Sequence, residues 1–204
     1  NMTDSPNQVV NWWNMGGSIP KHKEFGSGSF MYAQTDFKLA YSPTQYQLNW
    51  GGKVNPVTNL TREFVFVRPN YFVVFDRIST IDITYLKRCC LNFKNQPSTA
   101  GGVTAASLGS SKIFVATLLP TVPVFTNIQV PFNSGAMLSS VWRMEITTSP
   151  EVANLQVLNV FDAAPSAQAS VTPNVKFTGT GFVGVHIKNT AQNKVVVFSD
   201  NQAA

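Results

Sequence analysis

The chain has 204 residues, of which 44% are hydrophobic and only 12% charged, with 15 Lys and Arg against 10 Asp and Glu. This length supports one sizeable core, so a single domain over residues 1–204 is expected, with a surface carried largely by Asn, Gln, Ser and Thr. The formal net charge of +5 reflects few acids rather than a basic run. Lys21/Lys23 and Lys87/Arg88 are the closest basic pairs, too sparse to predict a nucleic-acid partner, and no apolar run reaches the roughly 18 residues of a membrane span.

Short runs of β-branched and aromatic residues, punctuated by Gly, Pro and Asn, predict an all-β antiparallel sandwich with little helix. In chain order the predicted strands are 29–34, 61–68, 71–80, 82–93, 112–118, 141–147, 155–161, 182–189 and 194–199. The strongest unit is REFVFVRPNYFVVFDR at 62–77, where Pro69 and Asn70 supply turn chemistry between two strands apolar on both faces. Such strands belong in the middle of a domain, covered on each side. The Gly/Ala/Ser/Thr-rich stretch 95–111 and the Pro/Ser/Ala-rich stretch 163–173 are predicted as surface loops.

Cys89 and Cys90 are neighbours, and on a strand they point to opposite faces, so they are expected as buried free thiols rather than a disulfide. No Cys/His cluster offers a metal site, and nothing demands a cofactor. The chain starts in mid-pattern at Asn1-Met2, without an apolar signal core, and is read as a segment of a larger protein.

Three segments, in order between residues 28 and 145, carry a family resemblance. They are GSFMYAQTD (28–36) continuing into FKLAY (37–41); the hairpin 62–77; and KIFVATLLP (112–120) joined to VWRME (141–145). Together they resemble the C-terminal β-domain of the heparinase II/III-like polysaccharide lyases. The resemblance implies a sandwich packed against an α/α-toroid in a secreted or periplasmic bacterial protein. It also implies a parent enzyme that cleaves uronic-acid-containing polysaccharides by β-elimination. In that chemistry a base removes the C5 proton while another group neutralises the carboxylate. The family's Asn, His and Tyr motifs find no counterpart here, and a Trp-Leu-Leu-His-like run of the family is replaced by Cys89-Cys90-Leu91-Asn92. No catalytic residue is therefore assigned, and an acidic polysaccharide is the expected ligand class.

Three residues are candidate glycan contacts. Trp50 precedes Gly51-Gly52 and offers an indole face for sugar stacking. His22 lies between Lys21 and Lys23 and suits proton abstraction, yet the sequence shows no partner to orient it. Arg62 is able to clamp a uronate carboxylate bidentately, although Arg62, Asp76, Arg77, Arg143 and Glu145 sit in strands where structural ion pairing is the simpler expectation. His186, opposite in parity to Val185 and Ile187, is expected at the surface. Trp12 and Trp13 are expected to contact a neighbouring domain or pack onto the sandwich. The resulting expectation is a non-catalytic accessory domain of a polysaccharide lyase, with an autonomous carbohydrate-binding module or a purely structural surface domain as alternatives.

Overall fold

The structure, a computed structural model, describes residues 17–25, 28–41, 56–131, 140–189 and 193–200. Their strands are β1 (Ser18–Glu24), β2 (Phe30–Asp36), β3 (Val57–Val67), β4 (Tyr71–Thr80), β5 (Cys89–Phe93), β6 (Ser98–Ala100) and β7 (Val103–Leu108). They continue with β8 (Ser111–Leu119), β9 (Val124–Pro131), β10 (Ser140–Thr147), β11 (Asn154–Pro165), β12 (Asn174–Gly179), β13 (Phe182–Lys188) and β14 (Asn193–Ser199). The only helical element among the described residues is a 3₁₀ turn, Lys38–Tyr41. The fold is all-β, as expected.

An eight-stranded antiparallel sheet, in the order β1-β2-β3-β4-β11-β8-β7-β6, is joined by two three-stranded sheets, β5-β10-β9 and β12-β13-β14. Period-2 alternation sorts β4 and β11 between two cores. On one face Tyr71, Val73 and Phe75 of β4, with Leu158 and Val160 of β11, pack against Val183, Val185, Ile187, Val196 and Phe198 of β13 and β14. On the other, Leu155 and Val157 of β11 pack with Cys89 of β5 and Met144 and Ile146 of β10, joined by the partly buried Ile78 of β4. The large sheet is thus the middle layer of three. Each fully buried Val, Leu or Phe contributes about 1.5–3 kcal/mol through the water it sheds.

The β3–β4 hairpin forms in the expected register, with Val65 opposite Val73 and Val67 opposite Tyr71. Its turn contains a cis Arg68–Pro69 peptide. One face of the hairpin is covered as expected. On the other, Phe64, Phe66 and Phe72 remain half-buried; Phe72 stacks on Phe66 at 4.5 Å between centroids and lies 5.5 Å from Phe64.

Several elements differ from expectation. The predicted strand 82–93 begins only at Cys89. Asp82 accepts from the Thr84 amide and hydroxyl, both at 2.8 Å, a local turn that competes with strand pairing. Buried Lys87 fixes the far end of that loop by donating to the Tyr85 carbonyl at 2.5 Å and the Thr80 hydroxyl at 3.2 Å. Ile81, Ile83, Tyr85 and Leu86 consequently face solvent.

The predicted loop 95–111 contains the β6–β7 hairpin, turned by Gly101 and Gly102 at φ 57° and 78°, the left-handed backbone that glycine adopts without strain. Strands β1, β9 and β12 are additional to those predicted, and β11 runs on to Pro165 inside the second predicted loop. Cys89 and Cys90 do point opposite ways and stay unpaired, but only Cys89 is buried.

Candidate functional site

A groove of about 440 Å³ opens between the outer strands of the large sheet and β14. Its lining includes Lys23, Phe25, Phe30, Tyr32, Val65 and Lys194. The β1–β2 ladder builds one side: Lys21 pairs with Gln34 and Lys23 with Tyr32, so alternation directs both lysines to the face that carries the tyrosine. Phe25 and Phe30 lie 3.9 Å apart between centroids at 30°, and Lys23 Nζ stands 4.8 Å from the Phe25 ring centre.

The tyrosine at this groove is held in a fixed state. Tyr32 donates its hydroxyl to Glu63 Oε2 at 2.7 Å. Glu63 in turn pairs with Arg77, whose guanidinium also donates to the Ser199 carbonyl at 2.6 Å and to Thr61 Oγ1 at 3.3 Å. Burial, then the hydrogen bond and charge of Glu63, raise the Tyr32 pKa well above its ordinary value. The phenol is therefore held protonated against Glu63. The groove brings together Lys23 beside Phe25, Lys194 and an apolar floor, a combination whose chemistry suits an acidic sugar stacking by its CH face.

Of the three candidate contacts, His22 is exposed on β1 opposite Ala33, with the reverse parity to Lys21 and Lys23, and so points away from the groove. Arg62 lies on that same outer-turned face of the sheet, with β2 between it and His22. It donates bidentately to Asp76 from Nε at 2.6 Å and Nη2 at 2.8 Å. Trp50, Trp12 and Trp13 lie outside the described residues. The other strand charges also pair, Arg77 with Glu63 and Arg143 with Glu145. His186 is half-buried at the surface of β13.

Sequence reading missed Lys23, Phe25, Phe30 and Lys194 as groove residues. The K-H-K alternation at 21–23 carried the signal for the lysine face. The approach of β14 to β1 and β2 is a tertiary contact with no local signature. Among the described residues no group of three or more His, Cys, Asp or Glu gathers as a metal site.

The antiparallel β-sandwich is a fold that this chain shares with part of several solved heparinase and heparan sulfate lyase structures. The chain superposes on part of the heparinase III-BT4657 gene product with a TM-score of 0.59 and 11% identity, covering 90% of this chain and 27% of that one. A heparan sulfate lyase HepC mutant from Pedobacter heparinus matches with a TM-score of 0.60 at 8% identity, covering 95% and 32%. A further heparinase III structure matches at 0.54 and 10%, covering 90% and 27%. The chain therefore spans about a third or less of these solved proteins, and at such identities the likeness is one of fold. No family model matches the sequence, and no curated protein sequence matches it significantly.

Proposed function

We propose that this chain is a non-catalytic supporting β-sandwich of a heparinase-type polysaccharide lyase, secreted or periplasmic in a bacterium, and that its groove helps to hold an acidic polysaccharide. The observation that carries the reading is the fold match over 90–95% of this chain and 27–32% of the lyase structures. Two apolar surfaces suit packing against an α/α-toroid: the half-buried Phe64, Phe66 and Phe72, and the exposed loop with Ile81, Ile83, Tyr85 and Leu86. The toroid supplies the base that takes the C5 proton. The C4–O bond then breaks, the leaving oxygen takes up a proton, and a C4=C5 double bond remains. Within this scheme Lys23 and Lys194 attract the uronate carboxylate, and the Phe25/Phe30 pair supports the ring.

A second reading, an autonomous carbohydrate-binding module, draws on the same groove and differs in requiring no partner domain. The test follows unsaturated-uronate absorbance and glycan binding across heparan sulfate, chondroitin, hyaluronan and alginate, for this chain alone and for a longer protein containing it. The expected result is product from the longer protein only. We also expect salt-sensitive binding that weakens about 3–10-fold in the Lys23→Gln/Lys194→Gln double variant, the range in which exposed charge contacts fall. Turnover by this chain alone overturns the non-catalytic assignment. Tight glycan binding by the chain together with an inactive longer protein favours the autonomous module.

A further inference from the structure

On the outer face of the β5–β10–β9 sheet, opposite the core and away from the groove, two guanidinium groups share one carboxylate. Glu145 on β10 has a side chain only 6% exposed; Arg88 Nε lies 3.2 Å from its Oε2, and Arg143 Nη2 lies 2.8 Å from its Oε1. The arginine side chains themselves are 44% and 38% exposed. We propose that Arg88 and Arg143, held in place by Glu145, form a seat for an oxyanion such as a sulfate or carboxylate group.

The simpler alternative is that both arginines exist only to neutralise a buried acid. One guanidinium is enough for that. Two cations against one anion leave an excess charge of +1 here, and strands β5, β9 and β10 carry no other acidic residue.

The hydrogen-bonding geometry points the same way. Arg143 is close to Glu145 without docking its fork onto it: Glu145 Oε1 accepts no aligned hydrogen bond, and Arg143 Nε has no partner. A guanidinium satisfied by its carboxylate aligns two parallel N–H donors with the two oxygens. Here the fork is not docked, and because Nε itself is buried, contact with an anion from solvent falls to the rest of the Arg143 side chain, which is 38% exposed.

The ladder surrounds the pair with further donors. Asn92 stands directly across from Arg143 on β5, and Thr126 directly across from Glu145 on β9; both are exposed. Side chains opposite one another on an antiparallel ladder are about 4.5–5.5 Å apart, the scale of a tetrahedral or planar oxyanion. Asn92 thus flanks Arg143 on one side of β10 and Thr126 flanks Glu145 on the other, with exposed Cys90 beside Asn92 on β5; all stand on paired strands, so little ordering cost remains for binding.

The seat stands independently of the groove and of the lyase reading, because the anion is either free or borne on a saccharide. The test is a ¹H–¹⁵N NMR titration at constant ionic strength, with sodium sulfate replacing chloride in one arm. A heparan sulfate oligosaccharide replaces the salt in a second arm, and an unsulfated hyaluronan oligosaccharide in a third. Saturable shifts at residues 88–92, 126 and 141–145 are expected, confined to them in the sulfate arm and separate from those of the groove in the saccharide arms. They should weaken at least tenfold in Arg88→Gln/Arg143→Gln. Shifts with inorganic sulfate alone identify a free anion as the ligand; shifts with saccharide identify a glycan-borne one, its sulfate or its carboxylate distinguished by the hyaluronan arm. Linear, non-saturating shifts in every arm of the unaltered protein overturn the proposal. So do saturable shifts that survive in the double variant.

Discussion

Asp76 illustrates how a buried charge is tolerated in an apolar strand. Its side chain is 5% exposed and is held by Arg62, itself 42% exposed. Arg62→Ala leaves the carboxylate buried and unpaired. Breaking a fully buried pair costs about 3–5 kcal/mol; discounting for the arginine's exposure, we expect about 2 kcal/mol in urea unfolding. The two cysteines give a pH prediction. Burial, then the charge of Asp76, raises the Cys89 thiol pKa above its ordinary value of 9.0, and burial followed by Glu145 raises that of Cys90. The unfolded chain then releases its thiol protons at lower pH than the native one. This contribution to stability is complete below pH 9.0 and declines as pH rises from there. Tyr32 has the same sign, its decline setting in from 10.0. Thermal unfolding from pH 8 to 11 should show the loss, with a shallower slope in Cys89→Ala. An alkylating reagent should modify exposed Cys90 in the folded protein and Cys89 only on unfolding.

At the scale of elements, glycine and aromatic residues are paired across β12 and β13. Gly184 lies opposite Phe177, and a Cβ at Gly184 would meet the Phe177 ring at 2.4 Å and the Val196 carbonyl oxygen at 2.8 Å. The ring is able to swing away; the backbone of β14 is not. Gly184→Ala should therefore destabilise by about 1–3 kcal/mol in chemical denaturation, as overpacking does. This arrangement also explains what was legible beforehand. The β3–β4 hairpin and β8, β10, β11, β13 and β14 were readable because each carries a run of β-branched or aromatic residues. The alternation Ile81-Asp82-Ile83-Thr84-Tyr85 has the period of a strand, yet Asp82 closes its own turn, and a two-residue period cannot register that competition. Gly101-Gly102 was a readable hairpin signal hidden in a stretch of small residues. β1 was obscured by Pro20 and by its complete exposure, which suits an edge strand and gives no hydrophobic face to detect. The groove shares that fate, since one of its sides is β1 and the other, β14, lies far along the chain.

For the whole molecule, β11 couples the two cores. Consecutive residues Val157 and Leu158, both 0% exposed, enter opposite ones. Leu158→Ala should cost about 2–5 kcal/mol. Hydrogen exchange of β10 and β13, on opposite sides of the large sheet, should then accelerate together; acceleration of β13 alone would show that the cores unfold separately. The same strand poses a problem of error. An ordinary surface strand signals a one-residue slip by exposing its apolar set, whereas β11 is lined with apolar residues on both faces and a slip exchanges one greasy set for another. Its polar residues remove the ambiguity. Asn159, 1% exposed, accepts from Thr117 Oγ1 at 2.8 Å, and buried Asp162 accepts from the Asn70 side chain at 3.0 Å and the Thr172 amide at 2.9 Å. Displaced by one position, each would lose its partners while remaining buried. These residues act as proofreaders of alignment, and their loss should appear less as lowered stability than as a native state with more than one strand pairing.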